Sequence, residues 1–308
     1  MNLQIVVNQI LILFLIILVG YIIKKKDIIN EEINKGLSNI LLEITLPALI
    51  INSLISIKIT SEIIYNLKVI TIVSLLSYLM LIILVTLITK YMSLSINKRT
   101  VFIFLIVFAN VGYMGLPVVN AVYPDYGIPL AIINNAAFNI FVWTYGVYIF
   151  TSARDKGKIK LRKLLNNGII AVIIGFIILF TGINLGPVHG ALESVGHMTF
   201  PLSMLIIGSS LTNVKFKKIL KDKSLYLLIF LKLLILPVLG LFILRQFNIP
   251  EIVSNISVMM LAMPSGAIGV IFAEKYDSDY TFASEGVFFT TLFSIVTIPL
   301  IIYLINLF

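Results

Sequence analysis

Phe108-Ala109-Asn110-Val111-Gly112-Tyr113-Met114-Gly115-Leu116-Pro117 lies in the middle of an apolar run covering residues 100–123. A second interruption of the same kind, Met263-Pro264-Ser265-Gly266-Ala267-Ile268-Gly269, lies in the run 252–273. Proline removes a backbone donor and clashes with the preceding turn, so each stretch predicts a helix interrupted near its centre. A packing kink would account for either one alone, since Gly and Pro are common in membrane helices. Pro117 and Pro264 are 147 residues apart, close to half of a 308-residue chain. Matching interruptions in two halves are the pattern of two broken helices that meet at mid-membrane.

Outward from these stretches the chain is apolar throughout. Hydrophobic residues make up 59% and charged residues 12%, whereas a soluble domain carries roughly 25% charged residues. At about 20 residues per crossing, ten apolar helices are expected near 5–23, 37–56, 69–90, 100–123, 127–150, 167–184, 195–211, 224–244, 252–273 and 281–305. The first is read as an anchor that stays, because Lys24-Lys25-Lys26 follows its apolar run and no basic residue precedes it. The loops after spans one, three, five, seven and nine hold 19 of the 23 Lys and Arg residues. Basic loops stay cytoplasmic, so both termini are expected outside the cytoplasm, in the plasma membrane. The net charge of +9 is thereby a topology signal, and a nucleic-acid partner is not expected.

The basic stretch Arg154–Lys163 divides the chain into five spans on each side. An odd number of spans per half inserts the halves in opposite orientations. The expected fold is therefore an all-α integral membrane protein of ten transmembrane helices in two inverted five-helix repeats, with broken crossing helices four and nine. The repeats would occupy 1–153 and 167–308, joined by a cytoplasmic linker at 154–166. Thr45-Leu46-Pro47 with Asn52-Ser53-Leu54 in span two is echoed by Thr199-Phe200-Pro201 with Ser209-Ser210-Leu211 in span seven.

A broken helix in lipid frees backbone groups that cannot stay unpaired. A half-helix starting at Pro117 would present the amides of Val118, Val119 and Asn120, next to Gly115. One starting at Pro264 would present those of Ser265, Gly266 and Ala267. Such N-termini carry about half a positive charge and suit a carboxylate; the opposing carbonyl ends could instead hold a coupling sodium ion or proton. Asn110 lies about two turns before Pro117. Asn134, Asn135 and Asn139 in span five cannot share one face, and interhelical hydrogen bonding would equally explain them. Asn52 and Ser209 could line the opposite wall. Lys232 is the clear intramembrane charge, about 12 Å into span eight, either snorkelling or acting as a fixed cation near the crossing.

Enzyme classes have little to work with. There is no cysteine, both histidines (His189 and His197) fall in or beside an outer loop, and no span carries a deep aspartate pair. Neither a cofactor nor a metal is expected.

The ten residues Phe108 to Pro117 resemble the fourth-span signature of the auxin efflux carrier family. Met263-Pro264-Ser265-Gly266-Ala267 with Ala273-Glu274-Lys275-Tyr276 resembles its ninth-span signature. Leu46-Pro47-Ala48-Leu49, Pro201-Leu202 with Gly208-Ser209-Ser210-Leu211, and Thr290-Thr291-Leu292-Phe293-Ser294 with Ile298-Pro299-Leu300 fit in order. The resemblance implies a fold akin to bile-acid symporters and sodium/proton antiporters. Spans one, two, six and seven would form a scaffold, often a homodimer. Spans three to five and eight to ten would form a transport domain that slides as an elevator. It implies that Asn110 holds a substrate carboxylate, and that the short linker places the chain with prokaryotic malate or malonate permeases. Plant members commonly have proline where Ala109 stands.

Overall fold

The computed structural model describes residues 3–56, 60–124, 126–152, 167–210, 212 and 222–308. The expected linker at 154–166 and the end of span seven at Leu211 lie outside the described residues. Every described element is helical: α1 Leu3–Lys25, α2 Glu31–Ile55, α3 Ser61–Lys90, α4 Ile96–Val107, α5 Val111–Val122, α6 Gly127–Ser152, α7 Asn167–Thr181, α8 Pro187–Ser209, α9 Lys223–Arg245, α10 Glu251–Leu261, α11 Ile268–Lys275 and α12 Tyr280–Leu307. Six of them (α2, α3, α6, α8, α9 and α12) are long and apolar enough to cross a membrane. Each expected apolar run is helical, and those at 100–123 and 252–273 are each split into two pieces, α4–α5 and α10–α11.

Several helices start well before their apolar runs because a polar cap precedes them. The side chain of Asn30 accepts the amide of Ile33, and that of Thr60 accepts the amide of Ile63. Each satisfies one of the orphan donors of a first turn.

Among the described residues four helices carry a widened π-turn, and three of these end immediately before a Leu-Pro pair: Leu41–Thr45 before Leu46-Pro47, Val111–Gly115 before Leu116-Pro117, and Leu231–Ile235 before Leu236-Pro237. Proline cannot bond the carbonyl four residues back and its ring pushes that carbonyl away. Looser π spacing absorbs the clash without ending the helix.

Two helix pairs pack closely through glycines. α1 lies along α8 and α2 along α7. A methyl group at Gly208 would stand 1.9 Å from the Ile17 carbonyl oxygen, and one at Gly20 would stand 2.3 Å from that of Leu205. Gly175 of α7 and Gly196 of α8 likewise fit against Leu54 and Leu49 of α2. In lipid, where helices gain little from apolar burial, such small-residue seams are what hold neighbours together.

The remaining helices enclose the split pairs. α3 packs on α6, α9 on α12, α4 on α12, and α10 on α6. A cluster of buried rings (Phe102, Phe104, Phe108, Phe150, Phe272 and Phe282) surrounds the end of α4. At one end of the bundle Lys98 pairs with Asp222, and the Ser278 hydroxyl donates to the Asn97 carbonyl. Glu62, Asn66, Tyr123, Glu251, Asn255 and Asn306 line a polar cavity of about 420 Å³.

Candidate functional site

The two interruptions meet. The Asn110 amide donates to the Pro264 carbonyl at 2.7 Å, and the Gly266 amide donates to the Phe108 carbonyl at 2.9 Å. Together they form an antiparallel bridge centred on Ala109 and Ser265. The residues flanking Ala109 make the bridge bonds, so the bridge does not use the N–H of position 109. At Gly266 a Cβ would lie 3.2 Å from the Phe108 oxygen and 3.3 Å from that of Ala109. A side chain there would push the two backbones apart by a few tenths of an ångström, so glycine suits this close approach.

The first break is not where its proline predicts. Gly115, Pro117 and Val118 are buried inside the wound helix α5, and the unwound residues are Phe108–Asn110, seven to nine positions earlier. Pro117 produced the π-turn instead. The amides of Val118 and Val119 are therefore internal to a helix, and the first turn belongs to Val111, Gly112 and Tyr113. The unwinding at Phe108–Asn110 needs no local breaker, because Pro264 and Gly266 supply the partners that an intact helix would have supplied. In the second half the expectation is met more closely. Ala262–Ala267 is unwound and α11 starts at Ile268.

The carbonyl end of α4 is capped from three directions. The Ser265 hydroxyl donates to the Leu105 carbonyl at 2.8 Å, Lys232 Nζ to the Ile106 carbonyl at 3.0 Å, and the Gly266 amide to that of Phe108. These replace intrahelical donors that the last turn of a helix lacks. The Ser265 amide in turn donates to the Thr290 hydroxyl of α12 at 3.1 Å, and that hydroxyl donates to the Gly286 carbonyl. Ser265 and Gly266 thus do not present bare amides to a guest; they lock the crossing. The sequence reading missed Thr290 as part of this lock. The threonine pair Thr290-Thr291 inside an apolar run was the available signal.

Lys232 is fully buried on the π-turn of α9 and pairs with no carboxylate among the described residues. It does not snorkel; its ammonium sits against the end of α4, two residues before the unwound stretch.

At the other side of the break, Asn110 is only 6% exposed, and its carbonyl accepts the amides of Met114 and Gly115. The amides of Gly112 and Tyr113 fall in the first turn of α5, where a helix has no upstream acceptor to offer. The Asn135 side-chain oxygen would be 3.7 Å from a Cβ on Gly112, so it faces this turn. Asn134 points elsewhere and donates to the Ser74 hydroxyl of α3 at 3.0 Å. Asn139 is satisfied on its own helix by the Asn135 carbonyl. The three asparagines thus divide, with Asn135 at the site and Asn134 and Asn139 in bracing roles. Asn52, on α2, and fully buried Ser209, on α8, each keep a side-chain oxygen without a hydrogen-bond partner. α8 touches the π-turn of α5, while α2 packs chiefly on α7 and α8.

First-turn amides of α5 and the Asn135 carboxamide stand on one side of the break, and Lys232, with no carboxylate partner among the described residues, stands on the other.

Comparison with known proteins agrees with a membrane role. Residues 5–302 match the sequence model of a family described as "Membrane transport protein". An uncharacterized transporter of Methanocaldococcus jannaschii is 27% identical over 303 residues, covering 95% of this chain and 96% of that protein. One of Methanothermobacter thermautotrophicus is 22% identical over 294 residues, with the same coverage of each chain.

Proposed function

From the premise that this chain belongs to the membrane transport protein family, the auxin efflux carrier family that its motifs resemble, we propose that it is a secondary active transporter of small organic anions. The proposed substrates are mono- or dicarboxylates of the malate, malonate or auxin-like kind. The observation that carries this reading is Lys232: a fully buried lysine, next to the crossing, without a carboxylate partner among the described residues. An uncompensated buried charge is costly, and a guest carboxylate held by the Gly112 and Tyr113 amides would compensate it during each transport cycle. Asn110 and Asn135 would orient the guest, since carboxamides hydrogen-bond without adding charge.

The topology proposed is ten crossings in two inverted repeats, with both termini outside the cytoplasm. The packing of the helices supports it. Exchanging spans one to five for six to ten turns the contact of span one with seven into that of six with two. It likewise turns three-with-five into eight-with-ten and four-with-ten into nine-with-five, and all six contacts are present. On this reading α1, α2, α7 and α8 form a scaffold that pairs with a second copy. The remaining helices carry the crossing past it as an elevator, with the contact of α8 and the π-turn of α5 as one that must break.

The test is binding first and flux second. Purified protein is screened for thermal stabilisation by malonate, malate, succinate and indole-3-acetate, against neutral amide analogues of each. Hits are followed as labelled flux in proteoliposomes. The expected outcome is stabilisation by at least one carboxylate and not by its amide. Asn110→Ala should weaken it about tenfold, the factor of one charge-assisted hydrogen bond. Stabilisation by the amides alone, or an unchanged affinity in Asn110→Ala, would reject the assignment.

A further inference from the structure

Four helix termini surround the polar cavity of about 420 Å³: the starts of α3 and α10 and the ends of α5 and α12. Two starts and two ends offset each other's partial charges, so the cavity takes its sign from its side chains. Glu62, in the first turn of α3, and Glu251, in the first turn of α10, both line it. Arg245 stands behind the lining, where its guanidinium donates to Asn255 Oδ1 at 3.0 Å and to the Ile305 carbonyl at 3.3 Å.

A glutamate in a first turn is explained by the helix dipole alone, but that leaves the floor of the cavity unexplained. Asn66, one turn further along α3, lines the same cavity, is only 5% exposed, and keeps its Oδ1 without a hydrogen-bond partner. A buried carboxamide oxygen in that condition is costly unless something meets it. Asn306 donates its Nδ2 to the Ile302 carbonyl of its own helix at 2.8 Å, which leaves its oxygen for the cavity. Asn255 donates its Nδ2 to the Tyr123 hydroxyl at 2.9 Å and so fixes that oxygen in the wall. Carboxylate and carboxamide oxygens are the ligands of hard cations. With two carboxylates in the lining, such an ion would keep several of its waters, and the cavity has room for them.

We propose that this cavity binds a hard divalent cation, calcium or magnesium, with part of its water shell. Glu62 and Glu251 supply the charge and Asn66 and Asn306 the neutral oxygens, so the ion ties the first turn of α3 to that of α10. Because α10 leads into the unwound stretch Ala262–Ala267, the ion braces one approach to the crossing. The proposal does not depend on the carboxylate-transport reading. Only the side of the membrane that supplies the ion, the outside, follows from the proposed topology.

The purified full chain, stripped with EDTA, is melted against calcium, magnesium, sodium and spermidine chlorides at equal ionic strength. The wild type should melt higher in calcium or magnesium, and the stronger of the two responses assigns the ion. At ten times the half-saturating concentration the rise should be about 2 °C. Glu62→Gln and Glu251→Gln should each weaken the response about tenfold, and Asn66→Asp, which adds a third carboxylate, should tighten it about tenfold. Glu32→Gln, which alters a first-turn acid of α2 outside the cavity, should respond like the wild type.

A wild type indifferent to both divalent ions, or raised equally by sodium or spermidine, would overturn the proposal. So would a divalent response that survives in both glutamine variants, or an unchanged half-saturation in Asn66→Asp. Glutamates that serve only their helix dipoles would lower melting on substitution by the same amount with and without the ion. Should a glutamine variant fail to fold, the wild-type titration and Asn66→Asp still decide. Loss of the divalent response would leave the carboxylate reading untouched, and failure of every carboxylate to bind would leave this site untouched.

Discussion

Ser265→Ala separates a residue that binds substrate from one that braces the site. The hydroxyl donates to the buried Leu105 carbonyl at 2.8 Å, and Ser265 is fully buried. Alanine removes that donor and leaves the carbonyl oxygen in a place closed to water. The net loss of a hydrogen bond is about 1 kcal/mol, and leaving a buried acceptor unpaired raises the cost to about 2 kcal/mol. Ser265 also donates its amide to Thr290, and that bond survives the substitution. Unfolding entropy is about 2.1 cal/mol/K per residue, so a chain of 308 residues loses about 1.5 °C per kcal/mol. The melting temperature should fall by about 3 °C. Carboxylate affinity should not change, because the hydroxyl faces α4 and not the first turn of α5. Differential scanning fluorimetry with a carboxylate titration reads both quantities at once. An unchanged melting temperature together with a tenfold weaker affinity would show that the Ser265 hydroxyl belongs to the guest, and the capping account of the first break would have to be abandoned.

Other outcomes follow from the same geometry. Gly208→Ala places a methyl 1.9 Å from the Ile17 carbonyl oxygen, so α1 must retreat along its contact with α8 at a cost of about 3 kcal/mol. Gly190→Ala, with no heavy atom of a neighbour within 4 Å, should melt like the wild type, and equal melting of the two variants would refute this packing. The Asp222 carboxyl is pushed up by burial, but bonds from Lys98 and Ser224 outweigh that and hold it below its ordinary 3.8. A depressed acid contributes stability above its unfolded pKa and loses it as pH falls through the lower folded value. Asp222→Asn should therefore melt lower than the wild type at neutral pH, by an amount worth about 1 kcal/mol. The difference should close as the pH is taken below 3.8, and a gap that widens on acidification would contradict the ion pair. Thr290→Val should destabilise about as much as Ser265→Ala, because it strips the acceptor from the Ser265 amide at a similar cost of about 2 kcal/mol. A double variant no worse than either single one, measured by the same melts, would tie both to one network.

The apolar runs, the polar caps that start them and the alternation of basic loops are local properties, and the sequence determined them. Helices form where the sequence places them because their backbone bonds close within a few residues. That two interruptions in matching positions belong together was also legible, from their spacing alone. What the sequence could not place is where the first helix comes apart. A proline at 117 looks like the breaker, yet its clash is absorbed by one wide turn, while Phe108–Asn110 unwinds without any breaker. The deciding bonds come from Pro264 and Gly266, more than 150 residues away. The same holds for Lys232, whose depth in its helix was clear but whose partner, the Ile106 carbonyl, lies 126 positions from it. Adjacent Asn134 and Asn135 are chemically identical and differ only in what the neighbouring helix presents, a serine hydroxyl in one case and the first turn of α5 in the other. In a medium without water, each freed backbone group must find a partner somewhere in the bundle. Which partner it finds is a property of the assembled helices, not of any stretch of the chain.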